Sequence, residues 1–266
     1  MAARQSDAIR FDDGACYERY MGCWSRLVGE RFLDWLSPPA GGRWLDVGCG
    51  NGAFTELVVA RCHPAAVHGV DPSAQQLAHA RTRPVLRNAR FLAGDAMALP
   101  CVDAAFDVAV MPLVIFFVPD PARGVAELRR VVRSGGRVAA YAWDMQGGGF
   151  PYHVLQAELR IQGAALASPP SPGASRREAM LELWAGAGLR DIETCSIEVS
   201  RRFTDFETFW DTALALPSAG PVLAAMTLAD VSEVRARLRR RLHQDADGAI
   251  VVQARANAVS GRVADP

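Results

Sequence analysis

Nine residues, Trp44 to Gly52 (WLDVGCGNG), restrict the fold more than any other stretch of the chain. A short apolar run reaches an acid at Asp46, glycines alternate with other residues at positions 48, 50 and 52, and a helix-like segment comes at once after them. A chain that leaves a strand and turns sharply into a helix needs glycine where φ must be positive or where a ligand comes close to the backbone. The helix start behind such a turn presents unpaired N–H groups and a partial positive charge. The stretch therefore reads as a strand–turn–helix that receives a nucleotide-like ligand.

The next ninety residues keep that rhythm. Strand-like segments at Arg43–Val47, Ala66–Val70, Ala89–Ala93, Phe106–Met111 and Arg137–Trp143 alternate with helix-like ones at Ala53–Cys62, Ser73–Arg81 and Ala122–Val132. Such alternation predicts an α/β fold, a doubly wound, Rossmann-like parallel sheet with helices on both faces and right-handed connections. In sheets of this kind the ligand lies outside the C-terminal strand ends, so the loops after residues 47, 70, 93 and 111 should line one crevice.

The pattern changes after Trp143. Residues 144–174 carry GGGFP and SPPSPGAS around a helical piece, Tyr152–Ile161, which reads as a lid with glycine at its hinge. Helices are expected at Arg176–Ala187, Phe206–Leu216 and Thr227–Leu242, the last opened by a Thr-x-x-Asp cap at Thr227 and Asp230, with strands at Ile192–Val199 and Ala249–Val259. Upstream, apolar residues between 17 and 36 recur at steps of three and four and predict an amphipathic helix capping the core, its first turn, YERYM, placed to close over a ligand.

Composition removes several chemistries. Formal net charge is zero, which argues against a nucleic-acid or anionic-membrane partner. All 29 basic residues are arginine, so there is no Schiff-base lysine, no phosphate-loop lysine and no Tyr-xxx-Lys reductase site. The six cysteines include no CxxC pair and suggest neither zinc nor a disulfide framework; with no apolar leader at the N-terminus, a cytoplasmic location is expected and no metal. The arginines of 235–241 share a helix with Val231, Val234, Leu238 and Leu242, and Glu233 stands at i,i+4 from Arg237, so they read as a solvated face.

Two more acids stand at strand ends. Asp71 closes the second strand in HGVDPS, 19 residues after Gly52, where a carboxylate can accept both hydroxyls of a ribose. Asp95 comes after the third strand in GDAMALP, where it can accept from an exocyclic amine. Residues 40–143 thereby resemble the class I S-adenosylmethionine-dependent methyltransferases, in particular the small-molecule branch with the ubiquinone and menaquinone enzymes. LDVGCGNG matches the first motif of that family, GVDPS its second-strand motif and GDAMALP its adenine motif; FDVAVMPLVIFFVPDP and LRRVVRSGGRVAAYAWD match its fourth and fifth strands.

The resemblance implies a single domain over 1–266: an N-terminal cap (1–40), a cofactor-binding core (41–143), substrate-cover insertions (144–174 and 204–246), and segments 175–203 and 247–261 completing a seven-stranded, mostly parallel sheet with an antiparallel edge strand near the C-terminus. It implies S-adenosyl-L-methionine as cofactor and S-adenosyl-L-homocysteine as product. Gly48, Cys49, Gly50 and Gly52 would lie against the methionine part, with Asp46 orienting the loop and the ammonium. Asp71 would hold the ribose, Pro72 and Ser73 the adenine edge, and Asp95, Ala96 and Met97 the adenine. Met111 would offer its carbonyl to the ammonium, and Tyr20 would cap the carboxylate end.

Many relatives carry histidines where this chain has Phe116 and Phe117. With Trp143 and Phe150, they suggest an apolar wall and a small, at least partly hydrophobic acceptor for a monomeric or homodimeric enzyme. Methyl transfer from a sulfonium asks mainly for alignment; if a base is used, the candidates are Tyr152 and His153. Cys49 reads as a small residue that suits a tight turn. Two alternatives remain: an NAD(P)-dependent oxidoreductase, since Gly48-x-Gly50-x-x-Ala53 also meets the relaxed dinucleotide spacing, and a non-catalytic protein that keeps the cofactor fold.

Overall fold

A computed structural model describes residues 21–265. Its elements, in chain order, are α1 (Cys23–Leu36), β1 (Arg43–Val47), α2 (Ala53–Cys62), β2 (Ala66–Asp71), α3 (Ala74–Thr82), β3 (Arg90–Ala93), β4 (Phe106–Pro112), α4 (Pro121–Val131) and β5 (Val132–Trp143). Then come α5 (His153–Ile161), α6 (Arg177–Gly186), β6 (Leu189–Phe203), α7 (Phe206–Leu214), α8 (Gly220–Ala225), α9 (Leu228–Arg241) and β7 (Ile250–Val263).

The seven strands form one sheet in the order β3-β2-β1-β4-β5-β7-β6. β1 to β5 are mutually parallel, while β7 runs antiparallel to both of its neighbours. One expectation needs correcting: the antiparallel strand does not form the edge, because β7 is inserted between β5 and β6, and β6 is the edge. An alternating hydrophobic pattern is the same for an edge strand and its neighbour, so strand order was not readable from it.

Sequence punctuation sets the helix starts. The side chains of Ser73, Asp120, Asp205 and Thr227 each accept a backbone N–H from the first turn of α3, α4, α7 and α9, and Pro121 occupies the first turn of α4, where a missing N–H costs nothing. The Thr227–Asp230 cap is closed from both sides, since Thr227 Oγ1 also donates to Asp230 Oδ2 at 2.6 Å. α4 passes directly into β5, which starts five residues earlier than the apolar run at Arg137 indicates.

The core lies on both faces of the sheet. On one, Phe32 of α1 packs on Tyr141 of β5 and Phe54 of α2, with ring centroids 4.6 and 6.1 Å apart. On the other, Trp184 of α6 is fully buried and its indole N–H donates to Val138 O at 3.0 Å. The α7–α9 segment, inserted between β6 and β7, is braced by arginines. Arg239 donates to Glu207 at 2.8 Å, Arg235 bonds the same carboxylate, and Arg241 reaches buried Glu158 on α5 at 2.6 Å. Arg237 pairs with Glu233 as the spacing indicates; most of the arginine face is bracing rather than simply solvated.

Candidate functional site

Gly48, Gly50 and Gly52 all take positive φ, at 73°, 51° and 82°. Their reasons differ. A Cβ on Gly48 would lie 2.3 Å from Val114 Cγ2, and one on Gly52 would lie 2.7 Å from Leu86 Cδ1, so both positions are tight against protein. At Gly50 a Cβ would meet nothing within 4 Å among the described residues. Gly50 is therefore the point where the turn presents bare backbone to open space, which is what a ligand cradle requires. The turn is held by Val70, whose carbonyl accepts from Gly48 N at 2.7 Å and Cys49 N at 3.1 Å.

Two acids flank the turn. Asp46 is fully buried; its Oδ2 accepts from Thr55 Oγ1 at 2.6 Å, and its Oδ1 has no partner among the described residues. Burial pushes this carboxyl up to about 7, against the Thr55 bond and with the help of the Asp71 charge. An unpartnered buried carboxylate oxygen costs about 1–3 kcal/mol, which a cationic or hydrogen-bonding ligand would offset. Asp71, also buried, accepts from Gly50 N at 2.9 Å through Oδ2 and from Ser73 N at 2.8 Å through Oδ1. Burial raises its pKa while those two bonds pull it down. Each oxygen keeps a second lone pair, so the clasp leaves acceptor capacity for hydroxyl donors.

The remaining cofactor candidates stand on neighbouring loops. Pro72 is exposed and Ser73 half-buried at the start of α3. Asp95 is exposed two residues beyond β3, its Oδ1 accepting from Met97 N at 2.7 Å, with Ala96 and Met97 half-buried. Gly94 N donates to Asp71 O at 3.2 Å and joins this loop to the end of β2. Its far end is clasped from α4: Arg130 donates to Leu99 O and Cys101 O, and Glu127 accepts from Leu99 N at 2.8 Å. Met111 is fully buried next to the last residue of β4. Tyr20 lies outside the described residues. Cys49 is buried against Gly69, and burial pushes its thiol far above the usual range, so it is no nucleophile.

Beside the turn, a narrow cavity of about 80 Å³ opens at the ends of β4 and β5. Its walls include Leu113, Phe116, Phe117, Trp143, Met145 and Phe150. Gln156 of α5 and Leu216, Pro217 and Ser218 after α7 add to them, so both insertions contribute. Val114, packed on Gly48, links this wall to the glycine turn.

Neither candidate base lines the cavity. Tyr152 is buried against Phe150 and Phe209, and burial pushes its phenol up to about 12, wrong for a base at neutral pH. His153 faces a different groove, with Gly147 to Gly149 and Ser200, and its Nδ1 is 3.1 Å from Phe150 O. The expected glycine hinge is pinned: Arg255 donates to Asp144 Oδ2 at 2.7 Å and to Gly147 O at 3.0 Å. Sequence reasoning missed Thr55, Gln156 and Ser218. For Gln156 a trace existed, a polar residue among Val154, Leu155 and Leu159 of an apolar helix face. Among the described residues no group of three His, Cys, Asp or Glu side chains gathers as a metal site, and no helix is long and apolar enough to cross a membrane.

Residues 45–140 match the family described as "Methyltransferase domain". A ubiquinone/menaquinone biosynthesis C-methyltransferase of Roseobacter denitrificans is 34% identical over 188 residues, covering 69% of this chain and 69% of that protein. A malonyl-(acyl-carrier protein) O-methyltransferase of Pectobacterium atrosepticum is 34% identical over 137 residues, covering 51% of this chain; the match spans about half of that relative, 52%. Among solved structures, a Haemonchus contortus phosphoethanolamine N-methyltransferase 2 in complex with S-adenosyl-L-methionine superposes with a TM-score of 0.57 at 19% identity, over 94% of this chain and 56% of that one. With the sheet, the glycine turn and the strand-end acids in place, these matches settle the lineage: the chain belongs to the class I S-adenosylmethionine-dependent methyltransferases.

Proposed function

We propose that this protein transfers a methyl group from S-adenosylmethionine to a small, partly hydrophobic acceptor by in-line displacement. The observation that carries the reading is the bare face of Gly50, set between the orphaned oxygen of Asp46 and the clasp of Asp71 and adjoining an apolar cavity. The residues present fit the cofactor. The backbone of Gly48–Gly52 would hold its methionine part, Asp46 and the Met111 carbonyl its ammonium, Asp71 the ribose, Pro72 and Ser73 the adenine edge, and Asp95, Ala96 and Met97 the adenine.

When bound, the sulfonium supplies an activated methyl group and a neutral thioether leaving group. The chain's own part is position and dryness. Phe116, Phe117, Trp143 and Phe150 exclude water and fix the direction of approach, and alignment of this kind is worth about 7–11 kcal/mol. With Tyr152 and His153 off the cavity, proton removal rests with the acceptor and solvent after transfer. The cavity is narrow, about 80 Å³, and both insertions contribute to its walls, so its shape limits which acceptors can enter. The five described cysteines are free thiols, which supports a reducing, cytoplasmic setting.

Thermal unfolding with S-adenosylhomocysteine and with NAD tests the reading. Stabilisation by S-adenosylhomocysteine is expected; stabilisation by NAD alone would overturn it. A broad acceptor screen that finds cofactor binding but no methylated product would favour a non-catalytic relative.

A further inference from the structure

Gln156 and Ser218 are both buried, at 8% and 9% exposure, in a cavity whose other walls are almost wholly apolar. They stand 62 residues apart, one on α5 and the other beyond α7, and are joined when Gln156 Nε2 donates to Ser218 Oγ at 3.3 Å. That bond is longer than the usual 2.7–3.2 Å range. Among the described residues it is the one side-chain hydrogen bond either makes. A primary amide carries two N–H donors and an acceptor oxygen, and a hydroxyl that accepts still has its proton to give. The pair therefore brings both donors and an acceptor to a dry wall, where unfilled hydrogen-bonding groups are costly.

We propose that Gln156 and Ser218 form the recognition site for a neutral hydroxyl or carbonyl group on the methyl acceptor. The inference rests on the methyltransferase reading and adds the acceptor's chemical class. An amide and a hydroxyl satisfy a neutral oxygen function without an ion. No arginine or histidine stands among the described residues lining the cavity. A carboxylate or phosphate would find no cationic side chain among the described residues of this wall to offset its lost hydration. The favoured acceptor has an apolar body and a phenolic, enolic or ketonic oxygen. Two insertions of unrelated sequence must close together to complete the pair, so this oxygen also reports that the cover is shut.

The test uses the full chain saturated with S-adenosylhomocysteine, with phenol, toluene and benzoate as probes titrated by ligand-observed NMR. Wild type should bind phenol about 3- to 10-fold more tightly than toluene, the worth of one ordinary hydrogen bond, and benzoate more weakly than either. Gln156→Leu should bind toluene as well as wild type or better and lose the preference for phenol, and Ser218→Ala should reduce it. A preference unchanged in both variants, tightest binding of benzoate, or no phenol binding by the loaded protein would overturn the proposal. S-adenosylhomocysteine affinity is measured first on every variant. Its absence in wild type would overturn the cofactor reading itself, whereas retention in Gln156→Leu shows that the variant is folded.

Discussion

Asp71 Oδ2 accepts the backbone N–H of Gly50 at 2.9 Å, across 21 residues of sequence. The acid assigned to the ribose is thus also the clasp that sets the shape of the glycine turn, so cofactor and loop depend on one side chain.

Asp71→Ala should weaken S-adenosylhomocysteine binding by about 1–3 kcal/mol, the cost of removing a charged acceptor. It should also lower the melting temperature of the free protein, because Gly50 and Ser73 lose their acceptor. Asp71→Asn keeps one carbonyl oxygen and should recover part of the stability. Calorimetric titration with parallel thermal unfolding separates the two effects, and an unchanged affinity would mean that the ribose assignment is wrong.

Asp46 makes the free protein sensitive to pH. Its folded carboxyl is raised to about 7 from an ordinary 3.8, so between those values the native state keeps a proton that the unfolded chain has lost. The contribution of this group is full below about pH 4 and is lost as pH rises through about 7. Asp46→Asn should flatten that part of the stability profile. An ammonium bound near Asp46 favours the ionised form, so at pH 7 binding of S-adenosylmethionine should release about half a proton, as expected of a group poised near 7. Titrations in buffers of different ionisation enthalpy measure it; no release in wild type, or equal release in Asp46→Asn, would contradict the placement.

The two glycines of the turn should fail differently. Gly48→Ala drives a methyl into Val114 and should cost about 2–4 kcal/mol of stability, from overpacking together with left-handed strain. Gly50→Ala meets nothing among the described residues and should cost about 1–2 kcal/mol, the strain alone. Yet its methyl group would stand where the ligand is placed, so its affinity for S-adenosylhomocysteine should fall at least tenfold. Equal affinity for Gly50→Ala and wild type would move the ligand away from this face.

Much of the cofactor half was legible because it is local. Three alternating glycines before a helix forced positive φ, and β1 and α2 begin and end where the sequence places them. What escaped depends on distance. The double use of Asp71 needs a donor 21 residues upstream. Glu207, which takes two arginines of α9, lies 28 and 32 residues from them, beyond any helical spacing rule. Gln156 and Ser218 belong to segments without motifs and meet because the fold closes two insertions on one cavity. Helix α8 escaped for another reason: with six residues, opened by a proline, it is too short to show a period.

The placement of β7 between β5 and β6 also bears on how the molecule is made. β7 is synthesised after every other strand, yet β6 has no other neighbour in the sheet. Until β7 is made, β6 has nothing to pair with, and the β6–β7 pair joins the rest of the sheet only through β5, more than a hundred residues upstream of β7. The cofactor half can assemble early from short-range β–α–β contacts, while the acceptor wall waits for the β5–β7 closure, the longest between paired strands of the sheet. On a ribosome, this protein would acquire its cofactor cradle before it acquires the wall that selects an acceptor.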